Sequence, residues 1–168
     1  VKVKDIRQYK ATLGDAGDSI GTNPIVTGDD IDAVLRSGVE SELRNRGFQL
    51  GAGNALVMIE LEAVAVRDRT PLAALYIANN ARAMVIIGAQ VKPANGPVLY
   101  SKIIDGKAAF GARATETYSS ISERALDYAL DDTVRNLAGD PKFIEALLAT
   151  RKPAPLAAPA NKTSPASH

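Results

Sequence analysis

Residues 28–66, GDDIDAVLRSGVESELRNRGFQLGAGNALVMIELEAVAV, constrain this chain most, because their hydrophobic period changes once in the middle. Ile31, Val34, Leu35, Val39 and Leu43, with the small Gly38 beside them, follow the i, i+3, i+4, i+7 spacing of a helix with one face in a core. The expected helix covers about 29–46. Thr27 is placed to cap it, Asp29, Asp30 and Asp32 complement the positive end of its dipole, and Gly47 supplies the left-handed residue that ends it after Arg44 and Arg46. Beyond Gly51-Ala52-Gly53-Asn54 the pattern becomes that of a strand, about 55–66. Val57, Ile59, Leu61, Ala63 and Ala65 share one face, and Leu56, Met58, Glu60, Glu62 and Val64 the other. The first face is wholly apolar and the second partly charged, which fits a sheet covered on one side.

The remaining segments are arranged around this unit. Val1 to Ile6 alternate as a short strand whose Lys2 and Lys4 suit a sheet edge. Residues 7–24 are polar and glycine-rich with no sustained period, and read as a long loop of the kind that often faces a partner. Arg67-Asp68-Arg69-Thr70-Pro71 reads as a charged turn and 73–91 as a strand, strongest over 83–91. Asn95-Gly96 between Pro93 and Pro97 marks a hairpin, and a further strand runs over about 98–112 with Gly106 as its expected bulge or bend. Three successive strands on short turns imply an antiparallel meander.

A second helix comes next, with Ser119 or Ser120 as cap and Ser120-x-x-Glu123 as a capping box. Its stripe is Ile121, Ala125, Leu126, Tyr128, Ala129, Leu130, Val134 and Leu137. Gly139 stops it, and Asp140-Pro141 starts a short helix carrying Phe143, Ile144, Leu147 and Leu148. The expectation is a single α+β domain over residues 1–150, followed by a Pro/Ala-rich tail over 151–168. Its four-stranded, largely antiparallel sheet has the element order β-α-β-β-β-α, with two main helices on one face and the short helix after them. The tail is too poor in large apolar residues to build a core.

Composition removes several classes of function. Twenty Lys+Arg against 19 Asp+Glu leave a formal net charge of +1, so no strong overall field steers nucleic acid, and with no Trp and eight Phe and Tyr a base-stacking platform is unsupported. The chain has no cysteine, which excludes disulfides and thiolate metal sites within it, and no apolar run of spanning length. The only histidine is His168, so no Ser-His-Asp machine or multi-histidine metal site can form. A sequence that opens at Val1 carries the expectation of a removed leader, a signal peptide being the usual one.

The charged clusters have plain explanations. Asp29, Asp30 and Asp32 lack the spaced oxygen ligands of a calcium loop and read as helix N-terminal charge. Asp127, Asp131 and Asp132 beside Arg124 and Arg135 read as a solvated, salt-bridged helix face rather than a catalytic carboxylate pair. Gly51-Ala52-Gly53 stands after a helix and before a strand, the reverse of a dinucleotide loop. Asn161-Lys162-Thr163 matches a glycosylation acceptor, a match that is empty in a bacterial setting. Arg67, Asp68 and Arg69 are a candidate contact patch set against a solvated loop. The four prolines Pro153, Pro155, Pro159 and Pro165 leave the tail open to linker-like disorder or to extended docking in a groove. No catalytic, cofactor-binding or metal residue is nominated, and no cofactor.

Some residues within this framework resemble a family. Val1, Val3, Asp5 and Arg7 open the chain, a helix carries Leu35, Val39 and Leu43 before Arg46-Gly47-Phe48, and Val57, Ile59 and Leu61 come after it in a strand. The late helix repeats the likeness through Ala125, Leu130, Val134, Asp140, Phe143 and Ile144. Together they resemble the YajG-like lipoproteins over residues 1–150. The resemblance implies a Gram-negative protein on the periplasmic face of the outer membrane, held by a lipid on a cysteine shortly upstream. The element order also looks like that of the lipoprotein partner of the lipopolysaccharide translocon, an analogy of fold only. These features imply a non-enzymatic accessory or scaffolding subunit of an envelope assembly, contacting other envelope proteins, not nucleic acid, through residues 7–24 and 151–168. The alternative is a periplasmic carrier holding a lipid or small molecule between helices and sheet, which requires a cavity of at least ~300 Å3.

Overall fold

The computed structural model describes residues 1–18, 21–25, 30–51, 55–69, 80–111 and 118–150. In chain order they form β1 (Lys2–Asp5), β2 (Gly14–Asp18), β3 (Gly21–Ile25), α1 (Ile31–Asn45), β4 (Ala55–Arg69), β5 (Asn80–Pro93), β6 (Tyr100–Gly111), α2 (Tyr118–Gly139) and α3 (Pro141–Ala149). The α+β class, the order of the expected elements and the largely antiparallel sheet all hold. Segments 70–79 and 151–168 lie outside the described residues, and with them the first part of the expected third strand and the whole tail.

α1 forms where the stripe places it, burying Ile31, Leu35, Val39 and Leu43, while Val34 is left 44% exposed at the stripe's margin. Its cap is Asp30 rather than Thr27, which lies outside the described residues. The Asp30 Oδ1 accepts from the backbone N–H groups of Asp32 at 3.0 Å and Ala33 at 3.2 Å, satisfying two of the donors a helix start leaves open. At the other end Gly47, at φ 81°, lets Phe48 N–H reach Leu43 O at 2.9 Å and Gly47 N–H reach Arg44 O at 2.9 Å, so two free carbonyls are satisfied. α2 begins at Tyr118, so Ser119 and Ser120 lie inside it and neither is its cap. The side chains of Ser119 and Ser120, and with them the expected capping box, lie outside the described residues.

The sheet order is β3-β2-β4-β5-β6, with β1 also paired to β4. β1 and β2 lie end to end along the same edge of β4, both parallel to it, opposite Met58–Leu61 and Val66–Arg69 respectively. The antiparallel pairings are far longer, with β5 matching β4 from Ala55↔Pro93 to Arg69↔Asn80 and β6 from Val91↔Tyr100 to Asn80↔Gly111. The sheet has six strands because β2 and β3 form an antiparallel hairpin inside what the sequence presents as a loop over 7–24. Backbone pairing to β4 and across the hairpin holds these residues in place without any hydrophobic period of their own.

The chain leaves the edge of β4 after Ile6, whose N–H donates to Leu61 O at 3.1 Å. It returns at Leu13, whose carbonyl accepts from Val66 N–H at 2.7 Å. Between those two points β4 carries its irregularity, a register shift between Leu61 and Ala63. An extra residue there reverses the facing of the rest of the strand. Val57, Ile59 and Leu61 face the helices as the alternation predicts, but Val66 is buried beyond the shift. Ala63 and Ala65 stand opposite Ile86 and Met84, which alternate with the buried Val85 and Ile87. The expectation that Ala63 and Ala65 continue the core face is thus overturned by one residue of slip.

Gly106, the expected bulge, sits in regular register opposite Val85. A Cβ there would lie 2.4 Å from Ala129 O and 2.4 Å from Thr133 N, so the glycine exists to let the α2 backbone lie directly on the sheet. α1 packs in turn on α2, where Gly38 faces Val134. Both main helices and α3 share one continuous core with β4, β5 and β6, so one face of the sheet is sealed.

Candidate functional site

With one sheet face sealed, the surface available for recognition is the other face, and its composition is set by strand alternation. β5 buries Ala81, Ala83, Val85, Ile87, Ala89 and Val91 toward the helices, so Arg82, Met84, Ile86 and Gln90 must point away from them. The register then sets their neighbours: Arg82 stands between Arg67 of β4 and Ala109 of β6, and Met84 between Ala65 and Lys107. Ile103, on the same face of β6, is 64% exposed.

Arg67, Arg82 and Lys107 rim a groove of about 660 Å3 whose floor includes Ala65, Met84 and Ala109. Arg67 and Arg82 are directly opposite each other across antiparallel strands, an arrangement of like charges that opposes pairing. Lys107 is partly neutralised by Asp105, at 2.5 Å, which raises the lysine pKa and lowers that of the aspartate. Of the expected patch Arg67, Asp68 and Arg69, the structure places Arg67 here. All three residues belong to β4 rather than to a turn, and the side chains of Asp68 and Arg69 lie outside the described residues. Sequence reading missed Arg82 and Lys107 because their meeting with Arg67 depends on register. The signal available was the arginine at the second position of the alternation in 81–91.

A second groove, of about 360 Å3, runs between segment 7–14 and residues 62–67 of β4 and shares Ala65 and Arg67 with the first. It contains Arg7, which is only 9% exposed. Asp5 receives Arg7 Nε at 3.0 Å and Nη2 at 2.8 Å, and this bidentate bond holds the Asp5 carboxyl below its usual pKa. Arg7 Nη1 is buried without a hydrogen-bond acceptor. Of the two expected contact elements, residues 7–24 thus supply one wall of a groove and the β2–β3 hairpin, and residues 151–168 lie outside the described residues.

The acidic clusters do structural work. Asp32 Oδ2 accepts from Asp5 N–H at 3.2 Å, tying α1 to β1. Arg135 pairs with Asp131 on the exposed side of α2, as expected. Asp132 departs from the expected solvated face, because its Oδ2 accepts from the Lys107 backbone N–H at 3.0 Å and so caps the open edge of β6. Among the described residues no group of three or more acidic or histidine side chains is placed to hold a metal, and no helix is long and apolar enough to cross a membrane.

Comparison with known proteins gives a family and a fold. Residues 1–148 match the model of a family described as uncharacterized lipoprotein. No curated protein matches the sequence. Among solved structures, a Xanthomonas campestris protein is similar at a TM-score of 0.57 and 11% identity, over 89% of this chain and 85% of its own. An Acinetobacter baumannii minor lipoprotein is similar at 0.48 and 12% identity, over 81% and 95%. A Caulobacter crescentus protein described as a lipoprotein gives 0.47 and 15%, over 84% and 94%. At these identities the first likeness speaks for the fold alone.

Proposed function

The chain belongs to that family of uncharacterized lipoproteins, and from this premise we propose that it is a non-enzymatic accessory subunit of an envelope assembly, of the YajG-like kind. It works from the periplasmic face of the outer membrane. The observation that carries this reading is the one-sided construction of the fold. The helices seal one face of the sheet, while the opposite face carries Met84, Ile86 and the exposed Ile103 among charged residues. A surface of that kind suits contact with another protein. Residues 7–24 and 151–168 are the proposed docking elements, the first supported by its position as the hairpin that extends the sheet edge.

The carrier alternative places its ligand between helices and sheet. The direct contact of α2 backbone with Gly106 opposes it, because no space is left at the centre of that interface. The test is a mild-detergent pull-down of the full-length protein from envelopes beside a variant ending at Thr150. The accessory reading expects a discrete partner set that shrinks when the tail is removed. Recovery of a solitary monomer from both would overturn it.

A further inference from the structure

Of the three cations at the groove on the outer sheet face, only Lys107 has an acidic partner among the described residues, and the two arginines have none. Arg67 and Arg82 are a directly opposed cross-strand pair, and Lys107 stands two residues further along, paired with Met84. Among the described residues neither arginine has an ion pair, whereas Arg7, Arg44, Arg46 and Arg135 all do. On β2 the residue in register with Arg67 is Asp15, whose side chain lies outside the described residues, and Asp105 flanks the strip beside Lys107. Among the described residues Arg82 has Arg67 and Ala109 directly beside it and Met84, Ala65 and Lys107 one step along the same face, with no carboxylate among them.

We propose that this groove binds a phosphorylated amphiphile, with the phosphate held between Arg67 and Arg82 and the apolar part lying along Ala65, Met84 and Ala109. Two opposed forked guanidiniums, with the Lys107 ammonium also on the rim, suit the three oxygens of a phosphate monoester better than the two of a carboxylate. The alanines keep the floor low, and the volume of about 660 Å3 lies in the range of small-molecule sites. Binding also removes the cost of the opposed arginines, since an anion between them turns repulsion into two charge-assisted contacts. The strip continues into the neighbouring groove through Arg67 and Ala65 toward Arg7. The groove lies on the same outer sheet face as the accessory reading and adjoins residues 7–24, but ligand binding is read by titration and partner contact by pull-down, so the failure of one is distinguishable from the failure of the other.

The test uses the whole chain, with octyl phosphate, octyl glucoside and inorganic phosphate each titrated below micellar concentration and monitored by amide shifts in NMR spectra. The expected result is saturable binding of octyl phosphate, with shifts centred on Ala65, Met84 and Ala109. Arg82→Ala is expected to weaken it at least ~10-fold and Arg82→Lys less, as loss of a charge-assisted contact requires. Both side chains sit at the surface, and thermal melting of each variant confirms that the fold is kept. Equal affinity for octyl glucoside would show that charge plays no part and overturn the proposal. Equal affinity for inorganic phosphate would reduce the groove to a free-phosphate site and overturn it as well. Unchanged octyl phosphate binding in an Arg67→Ala/Arg82→Ala variant would do the same.

Discussion

Tyr100, at the start of β6, donates its phenol hydrogen to Asp140 Oδ2 at 3.1 Å, joining residues forty apart in the chain. The same oxygen receives Lys102 Nζ at 2.8 Å, and the other, Oδ1, receives the Lys142 backbone N–H at 2.9 Å. One carboxylate thus caps α3, fixes the hinge between α2 and α3 and ties both to the sheet. The Tyr100 ring meets Phe143 edge-on at 5.4 Å, so the polar junction rests on the core. Burial, and after it the hydrogen bond to Asp140 and the charge of that carboxylate, raises the phenol pKa, whereas the Lys102 hydrogen bond lowers that of Asp140.

Asp140→Ala removes the cap and strands a buried tyrosine hydroxyl. The cap alone is worth about 1 kcal/mol and the stranded hydroxyl about 1–3 kcal/mol, so a total loss near 3 kcal/mol is expected in urea unfolding. Tyr100→Phe, which leaves the cap and Lys102 in place, should cost about 1 kcal/mol. Equal losses in the two variants would mean that the cap contributes nothing.

The same carboxylate sets the pH dependence. Asp140 and Asp5 both have folded pKa values below the ordinary 3.8. A depressed folded pKa means that the unfolded chain takes up protons first, so the stabilisation is complete above about pH 5, where the unfolded carboxyls are ionised. It is lost as pH falls through 3.8 toward the folded values. Urea midpoints measured from about pH 7 to about pH 2 should decline over that window, and Asp140→Asn should decline less steeply. A parallel decline in both proteins would remove Asp140 from the account.

Gly106→Ala should be among the most damaging single-methyl additions in the chain. The new Cβ would meet Ala129 O and Thr133 N, both backbone atoms of α2, at 2.4 Å, and neither can rotate away. Moving the helix off the sheet would loosen Ala125, Ala129 and Val134, all buried. Overpacking of this kind costs about 1–3 kcal/mol or more, read as a fall in the thermal midpoint. A neutral result would show that α2 slides easily on the sheet.

The legible parts of this fold were those written in a local period. The buried stripe of α1, the Gly47 stop and the Asp140-Pro141 restart are set by residues within a few positions of each other, and all form as the spacing indicates. The hairpin β2–β3 was not legible, because its Gly- and Asp-rich sequence takes up strand geometry only against the neighbouring edge of β4. The reversed facing of Ala63 and Ala65 was hidden for a related reason: strict alternation holds until a bulge, and this bulge has no glycine to announce it. The cationic groove depends on two strand registers at once, so Arg67 and Arg82 read as unrelated surface charges in the sequence.

The last prediction concerns the free edge of β6. Asp132 Oδ2 accepts from Lys107 N–H at 3.0 Å and Asn136 Nδ2 donates to Asp105 O at 2.9 Å, so two helix side chains occupy edge groups that another strand would need. Without them, two copies of β6 could pair antiparallel about Gly106, which would set Asp105 of each copy opposite Lys107 of the other. The exposed Ile103 would then pack against a small residue, Ala109 of the second copy. The double variant Asp132→Ala/Asn136→Ala is therefore expected to self-associate with rising concentration in sedimentation velocity, with a loss of about 1 kcal/mol or less in intrinsic stability, since both side chains are at the surface. Adding Lys107→Asp, which places like charges opposite each other in the paired edges, should return it to the wild-type behaviour. A double variant that sediments as the wild type at every concentration would show that the two side chains serve only to seat α2, and that the edge is guarded by something else.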